Sequence, residues 1–107
     1  MGSPEDVAYG EGLLQSMRPF IEHLIATGLR ERTIHDHIGN LWLLGGEIIR
    51  DVNTGMRYSV PPLQMLKESV GRDGGPYCRH LDAESQFRSF NSTCRRLHGF
   101  LTRRGRP

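Results

Sequence analysis

The sequence predicts an all-α fold, a small bundle of four main helices, on three observations. Apolar residues recur at spacings of three and four over long stretches. They nowhere alternate with the period of two that a half-buried strand requires. Clusters of Gly, Pro, Asn and Asp punctuate the chain between those stretches. The 107 residues make one domain with a single modest core. With 36% apolar and 24% charged residues, the composition is that of a globular chain rather than a disordered one.

Residues 1–10, with Pro4, two acids and Gly10, read as a flexible N-terminus, followed by a helical domain over 11–104 and a tail at 105–107. The first helix is predicted from Glu11 to Thr27, where Leu13, Met17, Phe20, Ile21, Leu24 and Ile25 form one wide apolar face. Pro19 lacks an N–H and clashes with the preceding turn. Either one helix kinks there, the reading preferred, or Pro19 opens a new helical segment. Gly28 suits the position just past a helix end, because without a Cβ it enters the left-handed conformation freely.

The second helix is predicted from Glu31 to Val52. Ile34, Ile38, Leu41, Trp42, Ile48, Ile49 and Val52 share one side, Leu43 and Leu44 widen the arc, and Trp42 is expected to anchor the core. Gly39, Gly45 and Gly46 each cost about 1 kcal/mol in a helix interior relative to alanine. They are expected to allow close approach of another helix, or to mark a break at Gly45-Gly46.

Asn53-Thr54-Gly55 ends that helix. Pro61-Pro62 opens a short third one to Val70, burying Leu63, Leu66 and Val70. Arg72-Asp73-Gly74-Gly75-Pro76 is a turn cluster, after which Tyr77 and Leu81 are placed at the end of the core. Asp82 is the expected N-cap of the last helix, Ala83 to Arg103. Phe87, Phe90, Cys94, Leu97 and Leu101 give it a regular apolar seam.

Several function classes are excluded or unsupported. No stretch approaches the length of a membrane span, and the N-terminus has neither the basic nor the apolar part of a secretory signal. Two cysteines are too few for a disulfide framework, so free thiols and a cytoplasmic location are expected. Cys78, His80, Cys94 and His98 are zinc-type ligands, but Cys94 belongs to the apolar seam and Cys78-x-His80 is not a recurrent ligand spacing. His35 and His37 diverge on a helix. No activated nucleophile and no phosphate-cradling loop is present, so neither enzyme activity nor any metal or cofactor is expected.

Charge is unevenly spread. Residues 84–107 carry six arginines against Glu84 alone, a balance of +5, while the remainder has eight basic residues against eleven acids, −3. Such a segment is either an anion-binding element, with nucleic acid one such anion, or a solvated helix face with a basic tail.

Two runs resemble a known module. Phe20-Ile21-Glu22-His23-Leu24-x-x-x-Gly28-Leu29-x-x-x-Thr33-Ile34-x-x-x-Ile38-x-x-Leu41 resembles the opening of the SAM-like core-binding domain of tyrosine recombinases and phage integrases. Asn91-Ser92-Thr93-Cys94-Arg95-Arg96-Leu97-His98-Gly99-Phe100-Leu101-x-x-Arg104-Gly105 resembles that module's last helix. Arg30-Glu31 stands where the family often has Ser-Pro, and Gly74-Gly75-Pro76 is unlike its usual connection. The chain ends where a catalytic domain would begin, so no strand-transfer chemistry is expected. The resemblance implies a module that clamps double-stranded DNA and contacts a neighbouring protomer. Carried over by position, the DNA-binding candidates are Arg32, Thr33, Arg95 and Arg96, and the basic last helix adds Arg88 and Arg103. The alternative is a protein-interaction or homodimerisation module without DNA binding, suggested by the acidic body and the many apolar positions of the second helix.

Overall fold

The computed structural model describes residues 3–104, and of Arg104 the backbone alone. Four helices follow one another: α1 (Pro4–Ala26), α2 (Glu31–Gly55), α3 (Pro62–Ser69) and α4 (Glu84–Arg104). No strand occurs among the described residues; a single bridge, Gly71 to Gly74, closes the turn around Arg72-Asp73. The expected tail at 105–107 lies outside the described residues.

Helix α1 begins at Pro4, seven residues before the expected start, so 4–10 belong to the folded domain. Ser3 is the reason: its Oγ accepts the Asp6 amide at 3.1 Å, Pro4 occupies the first turn, and Glu5 and Asp6 suit the helix's positive end. The helix runs on through Pro19 to Thr27, and Gly28 follows with φ +78°, as its position in sequence predicts. Close packing on α3 depends on Gly12, where a Cβ would stand 2.7 Å from Cγ of Pro62.

Helix α2 is unbroken at Gly45-Gly46 and continues to Gly55. Met56 then takes the left-handed conformation at φ +53°, uncommon for a residue with a Cβ. It packs against α1, α3 and α4. It runs antiparallel to both long neighbours: Gly10 lies by Ile49 and Met17 by Gly45, while His37 meets Thr93 and Asn40 meets Ser89.

The core is drawn from every helix: Leu13, Met17, Phe20 and Leu24 of α1, Leu41, Leu44, Ile48 and Val52 of α2, Met65 and Leu66 of α3, and Phe90, Cys94, Leu97 and Leu101 of α4. Each of the large side chains stabilises the fold by about 1.5–3 kcal/mol through removal from water. The radius of gyration, 13.5 Å, matches the roughly 13 Å of a folded chain this long.

Several expectations are corrected. Trp42 is no core anchor: it stands 74% exposed, and Ile25, Ile38 and Leu63 are also largely in solvent. Met65 is buried in α3, two residues on from Leu63 and so on the opposite side of the helix. Tyr77 lies outside, stacked on Phe87 at 5.8 Å, while the fully buried Cys78 fills the core beside it. At the entry to α4 it is Gln86 that reaches back, its Oε1 accepting the amides of Asp82 and Ala83 just before the helix, and the Asp82 carboxylate makes no capping bond among the described residues.

Candidate functional site

Residues on one face of a helix recur at three, four and seven. Arg88 and Arg95, and likewise Arg96 and Arg103, are seven apart; the two adjacent rows lie opposite the buried row Phe90, Cys94, Leu97 and Leu101, so the four form one broad outward stripe on α4. All four are exposed, and Ser85, Ser92 and Gly99 between them leave the surface low. Arg103 Nε donates to the carbonyl of Gly99 at 3.3 Å. The ion pairs among the described residues involve other side chains: Arg18 with Glu22, His35 with Glu31, and Arg57 with Asp51 and Glu68. Among the described residues, the α4 stripe therefore carries four guanidinium groups that form no ion pair with a carboxylate.

The remaining two candidates do not join it. Arg32 is nine residues before Leu41, two and a half turns, and so points away from the side of α2 that is buried. Thr33 is half-buried in line with His37 and Asn40 on the α4 side.

Between α2 and α4 lies a polar seam that sequence reasoning missed. His37 is only 7% exposed, and its Nδ1 sits 2.7 Å from Oγ1 of Thr93. Asn40 Nδ2 donates to the same hydroxyl at 2.9 Å and to Ser89 Oγ at 3.0 Å. Thr93 Oγ1 also lies 3.3 Å from the Ser89 carbonyl. The hydroxyl can donate to a neutral His37 or turn its proton to Ser89 and accept from a charged one, so the hydrogen bonds close in either state. Burial nonetheless pushes the imidazole below its ordinary pKa, and the Arg96 guanidinium adds to this, with Asp36 opposing. The signal was legible: His37 and Asn40 recur at helical spacing with the buried Leu41 and Leu44.

The opposite flank of α2 is open. A groove of about 330 Å³ runs between α1 and α2, walled by Val7, Leu14 and Met17 on one side and Trp42, Gly45 and Ile49 on the other. Val7 is 56% and Leu14 52% exposed. Neither close helix approach nor a break explains the glycines here. A Cβ on Gly46 would meet nothing within 4 Å, and one on Gly45 only Met17 Cε at 3.9 Å, so the glycines keep the groove floor low. At its end Asp6 accepts from Tyr58 Oη at 2.6 Å and from Asn53 at 3.4 Å; the tyrosine hydrogen bond holds its carboxyl below the usual range.

Cys78 and Cys94 are free, buried thiols, and burial with Cys78 nearby pushes Cys94 up to about 12, far from a nucleophilic thiolate. His80 is exposed, and no group of three His, Cys, Asp or Glu is placed to hold a metal among the described residues. Among them, too, no helix is long and apolar enough to cross a membrane. No family model matches the chain, and comparisons with curated proteins and solved structures found no match.

Proposed function

We propose that this chain is a non-catalytic helical module that binds double-stranded DNA through the outer face of α4, in the manner its resemblance to recombinase core-binding domains implies. The observation that carries the reading is the stripe Arg88, Arg95, Arg96 and Arg103, which forms no ion pair with a carboxylate among the described residues. A guanidinium meets a phosphate through a planar fork, and such contacts position a protein on a duplex without reading its sequence. Arg88 and Arg95, like Arg96 and Arg103, are seven residues apart, about 10 Å along the helix.

Four phosphate contacts predict a log–log salt slope near −3.6, and about a hundredfold loss of affinity between 50 and 200 mM salt. Fluorescence anisotropy with a labelled duplex of arbitrary sequence measures it. Replacing Arg95 and Arg96 together by alanine is expected to reduce the slope by about two and to weaken all sequences alike. No salt-sensitive binding even at low ionic strength overturns the reading.

A second reading, a protein-interaction or homodimerisation module without DNA binding, is favoured by the open groove between α1 and α2. A strictly monomeric sedimentation profile in a protein that also takes no partner on that face counts against it.

A further inference from the structure

We infer that the α1–α2 groove receives one turn-matched face of a basic amphipathic helix from a partner protein. The inference rests on the interaction reading of this face and names the partner's chemistry; it is independent of DNA binding on α4.

The exposed apolar surface is concentrated here. Val7, Leu14 and Ile25 are seven and eleven residues apart on α1, whole numbers of turns, and Ile38 and Trp42 are one turn apart on α2. Of the eight large hydrophobic side chains exposed among the described residues, Val7, Leu14 and Trp42 line the groove itself, and Ile25 and Ile38 continue their helical rows beyond it. Val7 to Leu14 and Trp42 to Ile49 each span seven residues, two turns, about 10 Å. A helix that anchors at i, i+3 or i+4, and i+7 spans the same length.

Charge selects the occupant. The side chains lining the groove include two carboxylates, Asp6 and Glu11, and no lysine or arginine. Asp6 is only 6% exposed and its carboxyl is held below the usual range first by the Tyr58 hydrogen bond, so Glu11, which is exposed, is the carboxylate that meets an occupant directly. Arg18, the next cation along this side of α1, is engaged by Glu22 at 3.5 Å. A second copy docked about a two-fold axis would bring two more carboxylates and no lining cation to the same interface, which like-charge repulsion opposes. A helix with apolar anchors flanked by lysine or arginine meets both the apolar floor and the acidic rim.

Trp42 is the single tryptophan of the chain and stands on the groove wall, so its emission reports on occupancy there. Leu14, which lines the groove but not the depression that Trp42 also borders on the α4 side, separates the two. The probes are three tryptophan-free helical peptides of about two heptads. One has leucine at i, i+4 and i+7 with flanking lysines, one has the same anchors with flanking glutamates, and one has the lysine composition in scrambled order. Titration into the full chain is expected to shift Trp42 emission to the blue with the first peptide, at least tenfold tighter than with either other. Glu11→Lys is expected to remove most of that preference. Leu14→Asp abolishes the shift while thermal unfolding stays in place, since both side chains are exposed. Equal binding of the glutamate or scrambled peptide overturns the basic-helix assignment. So does a concentration-dependent dimer that Leu14→Asp disrupts, although the interaction reading survives it. If no peptide binds and the chain is monomeric, both fall together.

Discussion

Along its α4 side, α2 presents His37 and Asn40, polar residues that are buried and whose Nδ1 and Nδ2 atoms pair with Thr93 and Ser89. Along its α1 side it presents Ile38, Trp42 and Ile49, apolar residues of which two are left largely in water. The usual assignment of polar residues to solvent and apolar residues to the interior is thus inverted across one helix. A buried polar group is tolerable when it is hydrogen-bonded; α4 supplies partners at Ser89 and Thr93, and no fully buried side-chain nitrogen or oxygen is left without one among the described residues. An exposed apolar face of this extent is a feature of interaction surfaces rather than of a closed core. Closure on one flank serves stability, and openness on the other leaves a surface for a partner.

The contrast can be broken first at the floor common to both flanks. Leu41, buried at 2% exposure, lines the groove and follows Asn40 directly, and Leu41→Ala is expected to cost about 2–5 kcal/mol in urea unfolding. Next comes the closed flank. Thr93→Val keeps the shape but removes the hydroxyl that His37 and Asn40 share, and should cost about 1–3 kcal/mol; an unchanged midpoint would show that the seam does not hold the helices.

The same flank gives a pH dependence. His37 has a folded pKa below its unfolded value of about 6.5, so the unfolded chain takes up the proton first. Stability is complete above about pH 6.5 and declines as pH falls from there to the lowered folded value, by at most about 1.4 kcal/mol per pH unit. His37→Gln is expected to flatten that part of the profile. The smallest effect belongs to the open flank: Trp42→Ala should change stability by no more than about 0.5 kcal/mol, whereas a larger loss would mean that the groove is part of the core.

Much of the architecture was legible in the chain. Gly28 marked the end of α1 because the left-handed backbone there suits a residue without Cβ, and the seam from Phe90 to Leu101 marked the buried face of α4. The start of α1 was legible too, in Ser3-Pro4-Glu5-Asp6, but Pro4 and Gly10 argued for a loop until the Ser3 cap and the burial of Tyr9 were seen. Of the DNA-binding candidates, the α4 spacing already placed Arg88, Arg95, Arg96 and Arg103 together; that Arg32 turns outward on another helix also follows from periodicity once Leu41 is known to be buried.

By itself, then, the sequence determined the helices, their order and the charge carried on α4, because these depend on local periodicity, caps and composition. The tertiary structure alone decided which edge of the broad apolar arc on α2 would be covered. An arc containing Ile38, Leu41, Trp42, Leu44 and Ile49 is wider than one neighbour can hide, and nothing local ranks its edges. The placement of α4 beside His37 and Asn40, where Thr93 and Ser89 pair them, settled it and left Trp42 at the mouth of the groove.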